Sequence, residues 1–271
     1  MRKYLTVFVF IFTFAILGAW PVAKEAPFKD GEELVYDVSY KAALIPNTVV
    51  AEVKMKVRQI DEPQPEYYVW ANAAVMSHFR WFFDMSDTYE IWLDKETLLP
   101  LRFANDIKEG KYTYKSHYRY DWDSMLVHTV ASRPKWEKDR IEKYELTRSS
   151  MDPLSTFFNL RGEDIDDFEI NKEMPLELVF ANKIRHIKFR FLGREVMNIK
   201  KIGKFNTIKF ACQLANDDGQ SFEDGSEFFV WLTDDQNKIP LYLESPIRVG
   251  SVKATISKMK NLKYPLISKI E

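Results

Sequence analysis

The chain has 271 residues and a formal net charge of −1, with 39 basic and 40 acidic side chains. This balance gives no global field that would attract nucleic acid, so the sequence predicts no nucleic-acid partner. Hydrophobic residues make up 46% of the chain, which is too many for an intrinsically disordered protein and enough for a substantial core.

The N-terminus is typical of a cleavable export signal. Two basic residues precede a nearly continuous apolar run over residues 5–17, and small residues follow it. This layout predicts a signal peptide over residues 1–19, with cleavage somewhere in residues 18–26. The alternative is a retained membrane anchor, but a spanning helix needs about 20 apolar residues.

Export also sets the expected location and redox state. We expect a mature protein in the periplasm or outer envelope that is not an integral membrane protein once processed. No cysteine lies near the cleavage region, so no lipid can be attached at this end. Cys212 is the single cysteine, and its strand-like surroundings predict a buried, inert thiol and no internal disulfide.

Apolar and polar residues alternate with a period of two through most of the mature chain. Val53, Met55 and Val57, for example, are separated by lysines, as in a half-buried strand. The strands predicted in this way are 34–40, 49–57, 67–75, 88–93, 100–107, 111–122, 125–131, 141–147, 176–180, 184–191, 205–214, 228–233, 240–244 and 250–259. Their close succession predicts an all-β fold: an antiparallel, curled sheet that is β-barrel-like, or a sandwich, in one domain over residues 28–262.

Aromatic rings share one face of the predicted strand 111–122, while polar side chains occupy the other face. These rings either fill the core between sheet layers or line a cavity for a small apolar ligand or a sugar. As candidate binding residues they are Tyr112, Tyr114, Tyr118, Tyr120 and Trp122.

One helix is predicted at residues 152–161. Asp152 suits the N-cap and Pro153 suits the first helical position, while Gly162 can end the helix. Ser155 has no nucleophile-elbow motif around it, so we expect it to form a local hydrogen bond to the backbone. Arg161 is expected to anchor the far end of the helix to a carboxylate of the sheet.

A Trp…Pro unit occurs twice in the chain, once on each side of this helix. Residues 91–101 and residues 230–241 each read as a strand, a polar turn and a strand that begins with proline. We interpret this as two similar β halves, at about 28–147 and 173–262, with coincidence among generic strands as the alternative.

Several segments in a fixed order resemble the DUF3108 family, whose members are bacterial exported proteins of unknown function. The segments are Asp152-Pro-Leu-Ser155, Leu160-Arg161, Gly193-Arg-Glu-Val196, Gly203-Lys-Phe205, Trp231-Leu-Thr-Asp-Asp235, Ile239-Pro240 and Gly250. The likeness runs from about residue 31 to 259 and implies an envelope β protein, with no established activity or site. Phe158 and Thr233 depart from the family pattern, where Tyr and Ser are common.

We expect the residues of this family pattern to be structural. They are Asp152, Ser155, Arg161, Trp231, Asp235, Pro240 and Gly250.

Side chains that could carry chemistry are scarce. A β-hairpin centred on residues 122–123 would place His117 directly opposite His128, but the cations beside them would repel a metal ion. The sequence therefore predicts no metal site, no cofactor and no catalytic residue.

Three functions stay open on the sequence alone. The favoured one is a non-catalytic binding or carrier module for an apolar or lipid-like envelope component. A structural or assembly factor that binds an envelope protein is the first alternative. The second is an enzyme acting on envelope glycan or lipid through Asp94, Asp234 and Asp235 near the Trp…Pro units.

Overall fold

The computed structural model describes residues 25–42, 45–81, 83–215, 222–246 and 251–270. The predicted signal peptide and Gly250 lie outside the described residues.

Fifteen strands form a single sheet in the described part of the chain. They are β1 (Glu33–Ala42), β2 (Ile45–Ile60), β3 (Glu66–Val75), β4 (Ser86–Asp94), β5 (Pro100–Glu109), β6 (Tyr112–Asp121), β7 (Leu126–Ser132), β8 (Arg140–Glu145), β9 (Ser150–Met151), β10 (Glu173–Val179), β11 (Ile184–Ile199), β12 (Gly203–Ala215), β13 (Phe222–Thr233), β14 (Pro240–Pro246) and β15 (Ser251–Lys260).

The strand order is β8-β7-β6-β5-β4-β3-β2-β1-β15-β14-β13-β12-β11-β10-β9. Every neighbouring pair is antiparallel except β9 and β10. β1 pairs with β15, so the first and last strands meet in the middle of the sheet. We call strands β1–β8 the N-terminal region and strands β9–β15 the C-terminal region.

The sheet curls but does not close, because β8 and β9 remain as free edges. The β10–β11 turn bridges the gap between the two ends. Tyr144 donates a hydrogen bond to the carbonyl oxygen of Asn182, and the backbone N–H of Asn182 lies 3.4 Å from the hydroxyl of Tyr118. The all-β prediction is confirmed, in its curled-sheet form rather than as a sandwich.

The helix α1 (Pro153–Leu160) follows β9, and its predicted start is confirmed. Asp152 is the N-cap, and its carboxylate accepts hydrogen bonds from both the backbone N–H (2.8 Å) and the hydroxyl (2.5 Å) of Ser155. The hydroxyl of Ser155 therefore binds a side chain rather than the backbone, contrary to the prediction. Gly162 donates its N–H to Asn159 at the other end of the helix.

Arg161 ties this helix to the sheet through a fully buried ion pair. Its guanidinium nitrogens lie 2.6 and 3.0 Å from the two carboxylate oxygens of Glu32, which directly precedes β1. Its Nε donates to the carbonyl oxygen of Asn237 in the β13–β14 turn, at 3.0 Å. One side chain thus joins α1 to both regions, in surroundings where an unpaired charge would be costly.

The predicted register of the β6–β7 hairpin is wrong. His117 pairs with Val130, and His128 pairs with Arg119, so the two histidines are not direct partners. The turn lies further along the chain than assumed, with Met125 in a left-handed conformation (φ 53°). A shift of the turn centre by one residue moves each cross-strand partner by two.

The two Trp…Pro units have the same local irregularity. The register shifts between Trp92 and Leu93 in one unit and between Trp231 and Leu232 in the other. In each, the leucine then pairs with the proline that begins the next strand. That the two regions are repeats over their whole length stays a prediction.

Candidate functional site

The predicted aromatic face of β6 divides into a packed part and an open part. Tyr118 and Tyr120 are buried in the core of the N-terminal region. Trp122 stacks on Tyr120 at 5.8 Å and donates its indole N–H to the carbonyl oxygen of Pro100 at 2.8 Å. Only Tyr112 and Tyr114, at the start of the strand, line a cavity.

That cavity, which we call the polar cavity, has a volume of about 460 Å³ and lies between β5–β8 and the β10–β11 turn. Arg133 lies over the ring of Tyr112 at 4.3 Å, and Arg140 lies over the ring of Trp136 at 4.2 Å. At its base, the Nδ2 of Asn105 is buried without a partner among the described residues. The polar cavity is therefore lined by rings and by charges of both signs.

A second cavity, the apolar cavity, lies between α1 and the inner face of the C-terminal region and has a volume of about 350 Å³. Its lining residues come from α1 and from β1, β2 and β10–β15, and none of them is charged. They are Tyr36, Val53, Met55, Pro153, Thr156, Phe157, Leu160, Leu176, Leu178, Ile187, Phe189, Cys212, Phe228, Val230, Pro240, Tyr242, Leu243 and Ala254.

Strand alternation explains why this wall is apolar. On β10, Leu176 and Leu178 are separated by Glu177, which turns outward to accept hydrogen bonds from Ser150 and Thr147. Successive side chains of a strand point to opposite faces of the sheet. The apolar residues of each of these strands therefore face the cavity. The apolar lining of the cavity follows from the same two-residue alternation that predicted the strands.

Tyr36, one of the lining residues, carries a buried polar atom without a partner in the described part of the chain, its hydroxyl. This side chain is 4% exposed, and its oxygen has no hydrogen-bond partner among the described residues. Burial raises the pKa of Tyr36 far above its ordinary value, so the hydroxyl keeps its proton.

Cys212 also lines the apolar cavity. Burial raises the pKa of its thiol to about 12, so the thiolate that reacts as a nucleophile is scarcely populated at neutral pH. These surroundings give Cys212 a packing role rather than a chemical one.

The residues of the family pattern mostly support the fold. Asp235 accepts hydrogen bonds from the backbone N–H of Asn237 at 3.0 Å and from the hydroxyl of Ser268 at 2.6 Å, which fixes the β13–β14 turn. Trp231 donates its indole N–H to Glu195 on the outer face. Pro240, the first residue of β14, borders the apolar cavity.

The three carboxylates considered for glycan chemistry lie in turns. Asp94 accepts hydrogen bonds from the backbone N–H and the hydroxyl of Thr97, at 2.8 and 2.7 Å. Asp234 pairs with Arg194 at 3.0 Å, and Asp235 holds its own turn. None of the three lines the polar or the apolar cavity.

The sequence reasoning missed the apolar cavity. Its strands were predicted, and the inward direction of Leu176 or Leu178 follows from alternation. No signal in the sequence, however, says that the apolar inner face of the C-terminal region stays partly open beside α1.

No three His, Cys, Asp or Glu side chains in the described ranges are grouped so that they could hold a metal ion. Across the part of the chain that the structure describes, no helix has the length and apolar character needed to span a bilayer.

A family model described as "Protein of unknown function (DUF3108)" matches residues 35–257. Among solved structures, a β-barrel-like protein of a domain of unknown function, DUF1849, from Brucella abortus superimposes with a TM-score of 0.59 and 10% identity, over 87% of this chain and 99% of that one. A candidate exported protein with a YmcC-like fold from Bacteroides fragilis reaches a TM-score of 0.35 at 10% identity, over 88% and 99%. No curated protein matches. The first likeness supports the curled β fold alone.

Proposed function

Because the chain belongs to the DUF3108 family, whose function is unknown, we propose a function from its own cavity: it is a non-catalytic module that binds an apolar or lipid-like molecule between α1 and the C-terminal region. The observation that carries this proposal is the wall of the apolar cavity, which presents hydrocarbon and ring surface without a single charged side chain.

The size of the cavity supports a small ligand. Ligand pockets in proteins typically enclose ~300–1,000 Å³ and combine apolar walls with a few polar groups that orient the ligand. The volume of about 350 Å³ is at the lower end of that range. It suits an alkyl chain or one small ring system.

The N-terminal segment supports an envelope ligand. A chain exported through a cleaved signal peptide meets lipids and lipid-linked molecules of the envelope. The curled sheet can hold the apolar part of such a molecule away from water while it is bound or carried.

A cavity-filling substitution tests the proposal. Ala254 on β15 lines the apolar cavity, so Ala254→Phe places a ring inside it. We expect the processed chain to bind a fluorescent fatty-acid analogue, and Ala254→Phe to weaken this binding by roughly tenfold or more, which corresponds to ~1.4 kcal/mol. Fluorescence titration gives the affinity, and mass spectrometry of the gently purified protein reports any lipid retained from the cell.

The matched control is Ala74→Phe. Ala74 lies on β3 of the N-terminal region and lines neither cavity. This variant should bind the analogue as the unmodified chain does, and thermal unfolding should show both variants folded. If Ala254→Phe is folded and binds the analogue with unchanged affinity, or if the unmodified chain binds no analogue and retains no lipid, the proposal is wrong.

A further inference from the structure

An apolar loop projects from one end of the sheet. It joins β3 to β4 and includes a short 3₁₀ turn at Ser77–Phe79. Next to this turn Trp81 is 83% exposed and Phe83 is 45% exposed. Two large exposed rings that lie two residues apart in the chain are candidates for an interaction surface.

Several other connections lie at the same end of the sheet. The N–H of Gly110, in the β5–β6 turn, donates to the carbonyl oxygen of Asp84 at 2.7 Å. Because the strands are antiparallel, the β7–β8 and β10–β11 connections also fall at this end. We define the aromatic rim as residues 76–81, 83–85, 108–112, 132–140 and 180–185.

The aromatic rim is basic although the whole chain is nearly neutral. It contains nine Lys and Arg side chains and four Asp and Glu side chains. The five hairpin turns at the opposite end, residues 61–65, 94–99, 121–125, 200–202 and 234–239, contain eight acidic and four basic side chains. The exposed rings therefore lie among connections that carry an excess of positive charge.

The apolar cavity extends towards the same end. Leu178 lies one residue before the end of β10, and Ala254 lies three residues after the start of β15. Both strand ends are on the side of the aromatic rim, whereas α1 borders the cavity from the other side.

We propose that the aromatic rim docks on an anionic lipid surface, with Trp81 and Phe83 at the boundary between headgroups and acyl chains. Indole and phenyl rings favour this boundary, and Lys and Arg side chains are attracted to anionic headgroups. A positive rim that carries exposed rings has the chemistry of such a surface. The docking proposal depends on the residues of the aromatic rim and not on the cavity. If the cavity binds a lipid-like ligand, as proposed above, docking brings the protein to the surface where such ligands occur.

Vesicle sedimentation tests the docking. The processed chain is mixed with vesicles of phosphatidylglycerol and phosphatidylethanolamine, and separately with neutral phosphatidylcholine vesicles. We expect binding to the anionic vesicles, weaker binding to the neutral ones, and release as salt is added, because salt screens the attraction between charges. The substitution Trp81→Ala with Phe83→Ala should lower the partition coefficient by about tenfold or more.

The matched control is Ile267→Ala, because Ile267 is 73% exposed and lies near β12 at the opposite end, where Ser268 accepts a hydrogen bond from the N–H of Asn206. It should leave vesicle binding unchanged. All three side chains are exposed, so none of these variants should unfold the chain. Absence of binding to anionic vesicles, or equal binding by the Trp81 and Phe83 double variant, overturns the proposal, and a protein partner would then be the remaining occupant of the rim.

The two proposals can fail separately. Ala254→Phe should weaken uptake of the fatty-acid analogue and leave vesicle binding intact, while the Trp81 and Phe83 double variant should weaken vesicle binding and leave uptake intact. A chain that docks on vesicles but takes up no analogue supports the rim and contradicts the cavity.

Discussion

The inner faces of the N-terminal and C-terminal regions are built from the same alternating pattern but end in different states. In the N-terminal region, Phe103, Tyr118 and Tyr120 close the space beneath the sheet, and Phe158 of α1 completes the packing. In the C-terminal region, Phe157 of the same helix borders a cavity of about 350 Å³. One short helix thus completes the packed core with Phe158 and borders the apolar cavity with Phe157.

The difference shows that the site does not depend on special residues. Aliphatic and aromatic side chains line both inner faces, so residue type alone does not decide which part is filled. Around α1, side chains fill the core on the side of the N-terminal region and leave a cavity on the side of the C-terminal region.

The largest expected effect comes from breaking the contact that both regions share. Arg161→Ala leaves the buried carboxylate of Glu32 without its cation, and such losses typically cost ~3–5 kcal/mol. We expect a fall of that size in the free energy of unfolding, measured by urea denaturation. Arg194→Ala, which removes the solvent-exposed ion pairs with Asp166 and Asp234, should cost only ~0–1 kcal/mol. Similar losses in the two variants would show that the buried pair does not hold the regions together.

Paired substitutions in α1 test the comparison directly. Phe158 is fully buried against Phe28, with ring centroids 5.1 Å apart, so Phe158→Ala should cost ~3–5 kcal/mol. Phe157 already borders a cavity, so Phe157→Ala should cost less, about 1–2 kcal/mol. Only the Phe157 variant should change the affinity for the fatty-acid analogue. An equal stability loss at both positions would mean that the C-terminal region is packed as tightly as the N-terminal one.

The third prediction concerns Glu163, which follows α1 and has both carboxylate oxygens buried without a partner among the described residues. Burial raises its pKa to about 9, whereas an unfolded chain would have the ordinary value near 4.5. The folded state therefore holds a proton that the unfolded state releases, so this residue makes stability fall as the pH rises from about 4.5 to about 9.

Glu163→Gln removes that titration. We expect the variant to gain about 3 kcal/mol at pH 7 and to show a flatter dependence of unfolding free energy on pH between 5 and 9. Urea denaturation at several pH values measures both. An unchanged slope would place the proton uptake at another group.

The sequence anticipated the strands well, because alternation is a local property. The position of Glu177 between two leucines is enough to show which face of β10 points towards solvent. It missed β9, since two residues such as Ser150 and Met151 carry no period. It also ended the strand at Phe191, although β11 continues to Ile199 through an irregularity at Gly193, whose φ of 115° suits glycine.

Non-local features were harder to anticipate. The partner of His117 depended on the position of a turn, and an error of one residue in that position changed the pairing. Whether the aromatic rings of β6 are packed in the core or line a cavity depended on the residues that lie opposite them. Tyr118 and Tyr120 meet the rest of the core, while Tyr112 and Tyr114 reach a cavity bordered by residues 180–183 from a distant hairpin.

The sequence by itself determined that this protein is a sheet with a capped helix, since period, caps and turns act between near neighbours in the chain. Only the tertiary structure decided where β1 meets β15, which carboxylate receives Arg161, and which side of the helix stays open. Those outcomes depend on how far the sheet curls, and curl is the sum of small twists over fifteen strands that no single segment encodes.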